Sequence, residues 1–256
     1  MAQVHATAVV DPAARLASDV QVGPNVVVEA DVVVDAGTVL LPGTVLSSGS
    51  RVGARCRLGP YATVGGLPMD RDFAGEASFA VLEDDVQLRD FVSVHRATGE
   101  GSETRIGAGT LVMSYAHVTH NVQVGRDAVL TNLVQLGGHA RIGERAVLGA
   151  GVMVHQFARI GAYAMVAATS GVNRDILPYA LARGNFAEHY RLNAVGLRRN
   201  GIDGERYRAL EQALRALRRK DDAAFGRLAD AWPEVETMRA FRDGSRRGLA
   251  RFRGGS

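Results

Sequence analysis

The chain of 256 residues has little cysteine and lacks long apolar runs. Cys56 is the one cysteine, so an intrachain disulfide and a zinc site built from several cysteines are both excluded, as is typical of proteins from reducing compartments. Apolar runs such as 26–28 and 32–34 are far shorter than the roughly 20 residues of a membrane-spanning helix. The N-terminus has no basic segment followed by an apolar one, so we expect no signal peptide. These absences predict a cytoplasmic protein without a membrane span.

Lysine is nearly absent as well, since Lys220 is the one lysine among 30 basic residues. The net charge of +3 is unevenly distributed. Residues 183–256 contain 17 basic and 10 acidic residues, whereas the rest of the chain is mildly acidic. A basic C-terminal part indicates an acidic partner, a phosphate ligand or simply a solvated helical surface.

An aliphatic residue recurs at every sixth position from Val4 to Val172. Of the 29 positions in this series, 26 are Val, Leu or Ile, where chance would give about 10. An amphipathic helix needs a period of 3.6 and a hairpin sheet a period of 2.0. A period of six is typical of a parallel β-helix of hexapeptide repeats, in which three hexads complete a triangular coil. The sequence therefore predicts a mainly β fold, with a β-helix over residues 1–176.

The series fails at three positions, which are Asp70, Glu76 and Glu100. They lie in the polar, glycine-containing segments 66–78 and 97–104. We interpret both segments as loops that leave the coil. On a rigid prism such loops either have no functional role or are the natural place for ligand contacts.

The period of six stops after Val172, and Pro178 follows shortly afterwards. Apolar residues are then spaced by three and four, as in Tyr207, Leu210 and Leu214. This pattern predicts a small α-helical domain over residues 177–256.

Several of the seven histidines fall on neighbouring coils of the predicted prism. An imidazole can remove a proton from a hydroxyl or bind a metal, although a lone surface histidine more often only bonds a neighbouring coil. His120 and His139 are 19 residues apart, close to one coil of 18, which predicts a separation of about 5 Å along the axis. The edge they share is convex within one chain. A pocket there needs a second wall from another subunit or a loop, so we expect an oligomer.

Four motifs in a fixed order are similar to those of the UDP-N-acetylglucosamine O-acyltransferase family, which acts at the first step of lipid A biosynthesis. The motifs are His-Val-Thr-His-Asn at 117–121, Gly-Gly-His at 137–139, Val-His-Gln-Phe at 154–157 and Arg-Gly-Asn at 183–185. Hexads alone would indicate only the wider acyltransferase superfamily. The resemblance covers nearly the whole chain and implies a left-handed β-helix, although general crossover rules favour the right-handed form.

The resemblance also implies a reaction and its partners. A homotrimer would transfer an (R)-3-hydroxyacyl group to the 3-hydroxyl of UDP-N-acetylglucosamine. The donor would be the 4'-phosphopantetheine thioester of acyl carrier protein, whose acidic surface would face the basic helical domain. No bound cofactor, metal or nucleic acid is expected.

By motif position, His120 is the expected general base and Asn121 its neighbour in the catalytic set. The backbone N–H of Gly138 is expected to stabilise the oxyanion. The positions that match substrate contacts are Asp70, Asp72, His95, His117, His139, His155, Gln156, Asn193 and Arg199.

Four residues depart from the pattern of the family. Asn121 stands where an Asp commonly orients and charge-stabilises the catalytic histidine, so another carboxylate could substitute for it. Asp72 replaces a Lys and Phe186 replaces a His, so the acceptor sugar is left open. A 3-amino sugar is the alternative acceptor, because a carboxylate could pair with its ammonium group. Ala168 replaces a Gly that limits the acyl length, and its added methyl group favours medium rather than long chains.

Three other functions fit parts of the sequence. The first is a related hexapeptide acyltransferase that uses acetyl-CoA. The second is a γ-type zinc carbonic anhydrase, for which His95, His117 and His120 would have to converge on one metal. The third is a non-enzymatic scaffold, which the histidines and loops disfavour.

Overall fold

The computed structural model describes residues 2–253, and its strands follow the period of six. Each hexad forms a short strand and a four-residue turn, and three hexads complete one coil of a triangular prism. We call its three flat sides faces A, B and C, in the order in which the chain visits them. The predicted left-handed parallel β-helix is confirmed.

Successive coils stack as parallel strands on each face. Face A consists of Gln3–Val4, Gln21–Val22, Val39–Leu40, Arg57–Leu58, Gln87–Leu88, Leu111–Val112, Val129–Leu130, Val147–Leu148, Met165–Val166, Ala180–Arg183 and Glu188–Leu192. Face B consists of Val9–Val10, Val27–Val28, Val45–Leu46, Thr63–Gly66, Ser93–His95, His117–Val118, Gln135–Leu136, Met153–Val154 and Gly171–Val172. Face C consists of Arg15–Leu16, Val33–Val34, Ser50–Val52, Phe79–Leu82, Glu103–Ile106, Gln123–Val124, Arg141–Ile142 and Arg159–Ile160.

The aliphatic residue of each hexad points into the prism. Leu40, Leu58 and Leu130 are fully buried, and each such side chain stabilises the fold by about 1.5–3 kcal/mol. At the N-terminal end of the stack this burial is incomplete, because Val4 is 48% exposed and Val10 and Leu16 are only partly buried.

The prism has three edges, named AB, BC and CA after the faces they join. In the regular four-residue turns from Asn25 to Thr169, the third residue adopts a left-handed backbone conformation. On the BC edge these residues are Asn121, His139 and Phe157, with φ of 60°, 59° and 64° on consecutive coils. Their side chains therefore project from the prism in one column.

Two long loops leave the prism at the BC edge, between Thr63–Gly66 and Phe79–Leu82 and between Ser93–His95 and Glu103–Ile106. Val64 pairs with Val94 and Val94 pairs with Val118, whereas the strands of regular coils pair 18 residues apart, as Val118 does with Leu136. The extra lengths are whole numbers of hexads. This explains why the six-residue series resumes in frame after each loop.

The sheet continues past the last regular hexad. Ala180–Arg183 adds to Met165–Val166 in parallel, and Glu188–Leu192 then pairs with it in antiparallel fashion. The first helix begins at Ala194, whereas the sequence placed the start of the helical domain at residue 177. The hexad count cannot detect these two strands because their spacing is irregular and one of them reverses direction.

In the described residues, four helices cover the end of the prism: α1 (Ala194–Arg199), α2 (Gly204–Arg218), α3 (Asp222–Ala231) and α4 (Pro233–Asp243). Leu210 of α2, Phe225 of α3 and Met238 of α4 are fully buried in a second core. Within residues 2–253, no helix combines the length and apolarity needed to cross a bilayer.

A fully buried histidine, His189, connects this end of the prism to the C-terminal segment. Its Nε2 accepts a hydrogen bond of 2.9 Å from the backbone N–H of Leu177. Its Nδ1 therefore carries the proton, and it donates to the carbonyl oxygen of Ala250 at 3.0 Å. Burial lowers the pKa of His189 to about 4.

We expect this histidine to make the free energy of unfolding depend on pH. The unfolded chain binds the proton at about pH 6.5, well above the pKa of about 4 that His189 has in the folded state. Its contribution is therefore complete above pH 6.5 and is lost as the pH falls towards 4, amounting to about 2 kcal/mol between pH 7 and pH 5. Urea unfolding at the two pH values measures the loss. A His189→Gln variant is expected to be less stable but to show a smaller difference between the two pH values, and an unchanged difference would contradict the assignment.

Candidate active site

The BC edge brings together both loops and most of the histidines. His120 lies in the turn 119–122, Gly138 and His139 lie in the turn 137–140, and His155 begins the turn 155–158. His117 lies on the adjoining part of face B. The chain therefore assembles a continuous strip of imidazoles from residues on successive coils.

The His120 side chain is 12% exposed, and its Nδ1 lies 3.0 Å from Oδ1 of Asn121. The Asn121 amide is held in one orientation by Thr98, because its Nδ2 donates to the Thr98 carbonyl oxygen and its Oδ1 accepts from the Thr98 N–H. Since Oδ1 can only accept a hydrogen bond, Nδ1 of His120 carries the proton. The lone pair then lies on Nε2, which is the tautomer that a general base needs.

A carboxylate from the first loop also approaches this imidazole. Oδ2 of Asp70 lies 3.5 Å from Nδ1 of His120. Oδ1 of the same carboxylate accepts a hydrogen bond of 3.2 Å from the backbone N–H of Asp72. This N–H is the main cause that lowers the pKa of Asp70, with His120 and His139 contributing in the same direction.

His139 packs between two rings. Its centroid is 5.3 Å from that of His120 in a nearly perpendicular arrangement, and it stacks on Phe157 at 4.7 Å. The spacing of about 5 Å that the sequence predicted for His120 and His139 agrees with this distance. Burial, followed by the neighbouring His120, lowers the pKa of His139 and favours its neutral form.

The backbone of Gly138 lies against the His120 ring. A Cβ atom at Gly138 would stand 2.5 Å from Cε1 of His120 and closer still to Nε2. In the described part of the chain the Gly138 N–H has no protein acceptor, as expected for the second residue of such a turn. The residue that lies against the Nε2 edge of the ring therefore has a backbone hydrogen-bond donor available.

Two further histidines lie on face B. The rings of His95 and His117 are 5.0 Å apart. Nδ1 of His117 is 2.7 Å from the hydroxyl of Ser93, and burial, followed by His95, lowers the pKa of His117. Nδ1 of His95 donates to the carbonyl oxygen of Leu67 in the first loop at 2.7 Å. His155 and Gln156 are exposed on the next coil of the BC edge.

Other predicted site residues lie elsewhere in the chain. Ala168 is exposed in the turn 167–170 of the AB edge. Asn193 caps α1, accepting from the Gly196 N–H and donating to the carbonyl oxygen of Tyr163 at the CA edge. Arg199 is exposed at the end of α1. Within one chain, the predicted site is therefore divided among three edges.

The histidines proposed for a zinc carbonic anhydrase do not converge. Among residues 2–253, the histidine and acidic side chains whose ligand atoms all lie within 4.8 Å of one another are Asp70, His120 and His139. His95 and His117 do not belong to this group.

Sequence reasoning missed the residues that hold the site in place. Thr98 fixes the Asn121 amide, and Thr104 accepts a hydrogen bond of 2.8 Å from the Asn121 N–H. Glu76 accepts from the Gly99 N–H at 2.7 Å and thereby joins the two loops. The break in the hexad series at Glu76 was a signal of this role, whereas nothing in the sequence singled out Thr98.

Comparisons with known proteins identify the family. A family model described as Udp N-acetylglucosamine O-acyltransferase; Domain 2 matches residues 175–250. The acyl-[acyl-carrier-protein]–UDP-N-acetylglucosamine O-acyltransferase of Halorhodospira halophila is 41% identical over 98% of this chain and 100% of its own length. The chain belongs to the UDP-N-acetylglucosamine O-acyltransferase family. The enzyme of the same name from Alkalilimnicola ehrlichii is 42% identical over the same shares.

Solved structures agree with this membership in the acyltransferase family. LpxA from Acinetobacter baumannii superposes with a TM-score of 0.91 at 29% identity, covering 97% of this chain and 99% of that one. The UDP-N-acetylglucosamine acyltransferase of Francisella novicida gives a TM-score of 0.95 at 27% identity, covering 99% and 95%. The resemblance that the ordered motifs indicated is confirmed, and the protein is an acyltransferase of this family.

Proposed function

We propose that the protein transfers an (R)-3-hydroxyacyl group from acyl carrier protein to the 3-hydroxyl of UDP-N-acetylglucosamine, the first step of lipid A biosynthesis. The observation that carries this proposal is the fixed tautomer of His120 beside the Gly138 N–H, in a chain of the UDP-N-acetylglucosamine O-acyltransferase family. These two groups are the base and the oxyanion donor that acyl transfer to a hydroxyl requires.

The reaction follows from their placement. Nε2 of His120 removes the proton from the sugar hydroxyl as its oxygen attacks the thioester carbonyl carbon. The Gly138 N–H donates to the oxyanion that forms. When the tetrahedral intermediate collapses, the carbon–sulfur bond breaks and the imidazolium of His120 returns its proton to the departing phosphopantetheine thiolate. No bound cofactor enters these steps.

The remaining residues of the strip suit substrate binding. Neutral imidazoles such as His117 and His139 can hydrogen-bond sugar hydroxyls without repelling one another. The proposed substrate contacts on or beside the BC edge are Asp72, His95, His117, His139, His155 and Gln156. The resemblance also assigns Asp70 to this set, and its carboxylate faces His120. The planar guanidinium of Arg199 can donate paired hydrogen bonds to a diphosphate. Asn193 lies at the start of the same helix.

We infer that the active enzyme is a homotrimer. The AB edge carries a ladder of stacked, exposed aromatic rings: Tyr61, Phe91 and Tyr115, with centroids 5.2 and 5.0 Å apart and exposures of 56%, 46% and 53%. A second copy would bury this apolar strip. It would also provide the second wall that the convex BC edge lacks and bring Ala168 of one chain towards His120 of another. Sedimentation equilibrium tests this inference, and a mass of one chain at the assay concentration would contradict it.

The basic C-terminal part suits the acidic acyl carrier protein that would deliver the thioester. Several of its arginines are engaged in ion pairs, such as Arg206 with Glu234 and Arg242 with Asp222. Arg198 is exposed at the end of α1 and is available to a partner. We place the enzyme in the cytoplasm, where this partner supplies activated acyl groups. The free, buried thiol of Cys56 is compatible with that reducing compartment.

Product mass spectrometry tests the proposed reaction. The purified protein is incubated with one of two acceptors, UDP-N-acetylglucosamine or its 3-amino analogue. The donors are (R)-3-hydroxyacyl thioesters of acyl carrier protein of increasing chain length. Acetyl-CoA is tested as the donor in a separate reaction. We expect an ester of UDP-N-acetylglucosamine, formed best from medium chains. An amide of the 3-amino analogue would move the acceptor to the alternative sugar. Acetyl transfer alone, or no product with either nucleotide, would contradict the proposal.

A further inference from the structure

His120 has a neutral neighbour where a general base benefits from a charged one. When His120 takes the proton of the sugar hydroxyl it becomes an imidazolium, and a carboxylate near Nδ1 stabilises that charge. The Asn121 amide orients the ring but carries no charge. Its Nδ2 and Oδ1 are already bonded to the Thr98 backbone.

Asp70 lies where the missing charge is needed. Its Oδ2 is 3.5 Å from Nδ1 of His120, which is within ion-pair distance. The side chains of Asp70 and His120 are only 22% and 12% exposed, so solvent screens their interaction less than it would on an open surface. The Asp72 N–H holds the other carboxylate oxygen and lowers the pKa of Asp70, so the group is ionised at neutral pH.

The other groups around His120 do not provide a negative charge. His139, the ring beside it, has a lowered pKa and is neutral, and the nearby Arg141 is positive. Glu76 in the first loop is engaged with backbone N–H groups of the loops. Over residues 2–253, Asp70 is the carboxylate within 4.0 Å of a His120 nitrogen.

We propose that Asp70 is a positioning residue that replaces the usual acid beside the catalytic histidine. Asn121 fixes the orientation and tautomer of the imidazole, and Asp70 compensates its charge from the first loop. The inference rests on the proposed function, because it concerns the base of that reaction. Both oxygens of Asp70 are engaged within the protein, one with Asp72 and one facing His120, which favours this role over a direct contact with the sugar.

Four proteins test the proposal: the native chain, Asp70→Asn, Asn121→Asp and the double variant. In the native background, Asp70→Asn is expected to lower kcat by about 10-fold and to change KM for UDP-N-acetylglucosamine by less than about threefold, since the transition state loses its compensating charge. The acid limb of the pH–rate profile is expected to move to lower pH, because protonation of His120 becomes less favourable. In the Asn121→Asp background, the same Asp70→Asn change is expected to cost less than about threefold, because a carboxylate then adjoins Nδ1 directly.

Asp35→Asn is the matched control, since Asp35 is an exposed aspartate on the CA edge, and it should leave kcat and KM unchanged. Equal losses from Asp70→Asn in both backgrounds would overturn the proposal, as would a rise in KM with kcat unchanged, which would instead indicate a sugar contact.

A second measurement does not require turnover. The His120 ring is followed by NMR as the pH is varied in all four proteins. Asp70→Asn is expected to shift the His120 titration midpoint to lower pH in the native background and much less in the Asn121→Asp background. If the native protein titrates in this way but makes no product from UDP-N-acetylglucosamine, the proposed function fails while the pairing of Asp70 with His120 stands. An unchanged midpoint in Asp70→Asn would reject the pairing whatever the activity.

Discussion

Replacing His120 with alanine is expected to lower kcat by about 10²- to 10⁴-fold, the range that a positioned general base contributes. The loss follows from removing the one group on the BC edge whose free nitrogen lies beside an available oxyanion donor. KM for UDP-N-acetylglucosamine should change much less than kcat, because a general base acts on the hydroxyl mainly in the transition state. Steady-state kinetics over pH 5–9 measure both effects, and the residual rate should lose its acid limb.

His5→Ala is the control for this substitution. His5 is exposed at the N-terminal end of the prism and contacts Thr7, far along the chain from the proposed site. It should retain full activity and the same thermal midpoint. A folded His120→Ala enzyme with native kcat would remove His120 from the mechanism and would favour the reading of the prism as a scaffold.

Replacing Gly138 with alanine is expected to lower kcat by about 10²-fold or more while leaving the fold intact. The added methyl group would stand 2.5 Å from Cε1 of His120, so the ring must turn away from its hydrogen bond with Asn121. The prism itself tolerates alanine at this position of the turn, since Ala30 on the same edge and Ala150 and Ala162 on other coils occupy it. The Gly138→Ala change is therefore expected to disturb the geometry of the base and the oxyanion donor, and not the stability of the fold.

Thermal unfolding together with kinetics separates these two effects. Gly226→Ala is a suitable control, because a Cβ there meets nothing within 4 Å. Alanine within α3 should raise stability by up to about 1 kcal/mol and leave kcat unchanged. A Gly138→Ala enzyme of native activity would show that the ring and the N–H do not act together. A large drop in its thermal midpoint would instead place the effect in the packing of the turn.

The fold could be predicted almost completely from the sequence, because each coil repeats the same requirement for one inward aliphatic residue in six. Leu58, Ile106 and Leu148 are all fully buried, as the series predicts. The interruptions at Asp70 and Glu100 likewise fall in the two loops of the structure. The strands at Ala180–Arg183 and Glu188–Leu192 escaped prediction because their register comes from pairing with the end of the sheet rather than from a repeat.

The site was only partly predictable, because its decisive contacts are not periodic. The spacing of His120 and His139 followed from the coil length alone. The approach of Asp70 to His120 depends on how a 12-residue insertion folds back, which no local pattern specifies. The burial of His189 was also missed, since one histidine in a helical-looking segment gives no sign that it fills the junction between two cores.

The stacking of coils on one another also determines how the molecule loses structure. Each coil contacts chiefly the coil above and the coil below, so its resistance to opening depends on those two neighbours rather than on the whole molecule. Amide exchange should therefore be graded along the axis, fastest at the sparsely covered coil of Val4 and Val10 and slowest in the interior. The imidazoles lie several coils inward from that end, so the geometry of the proposed site should persist while the first turns of the prism open and close.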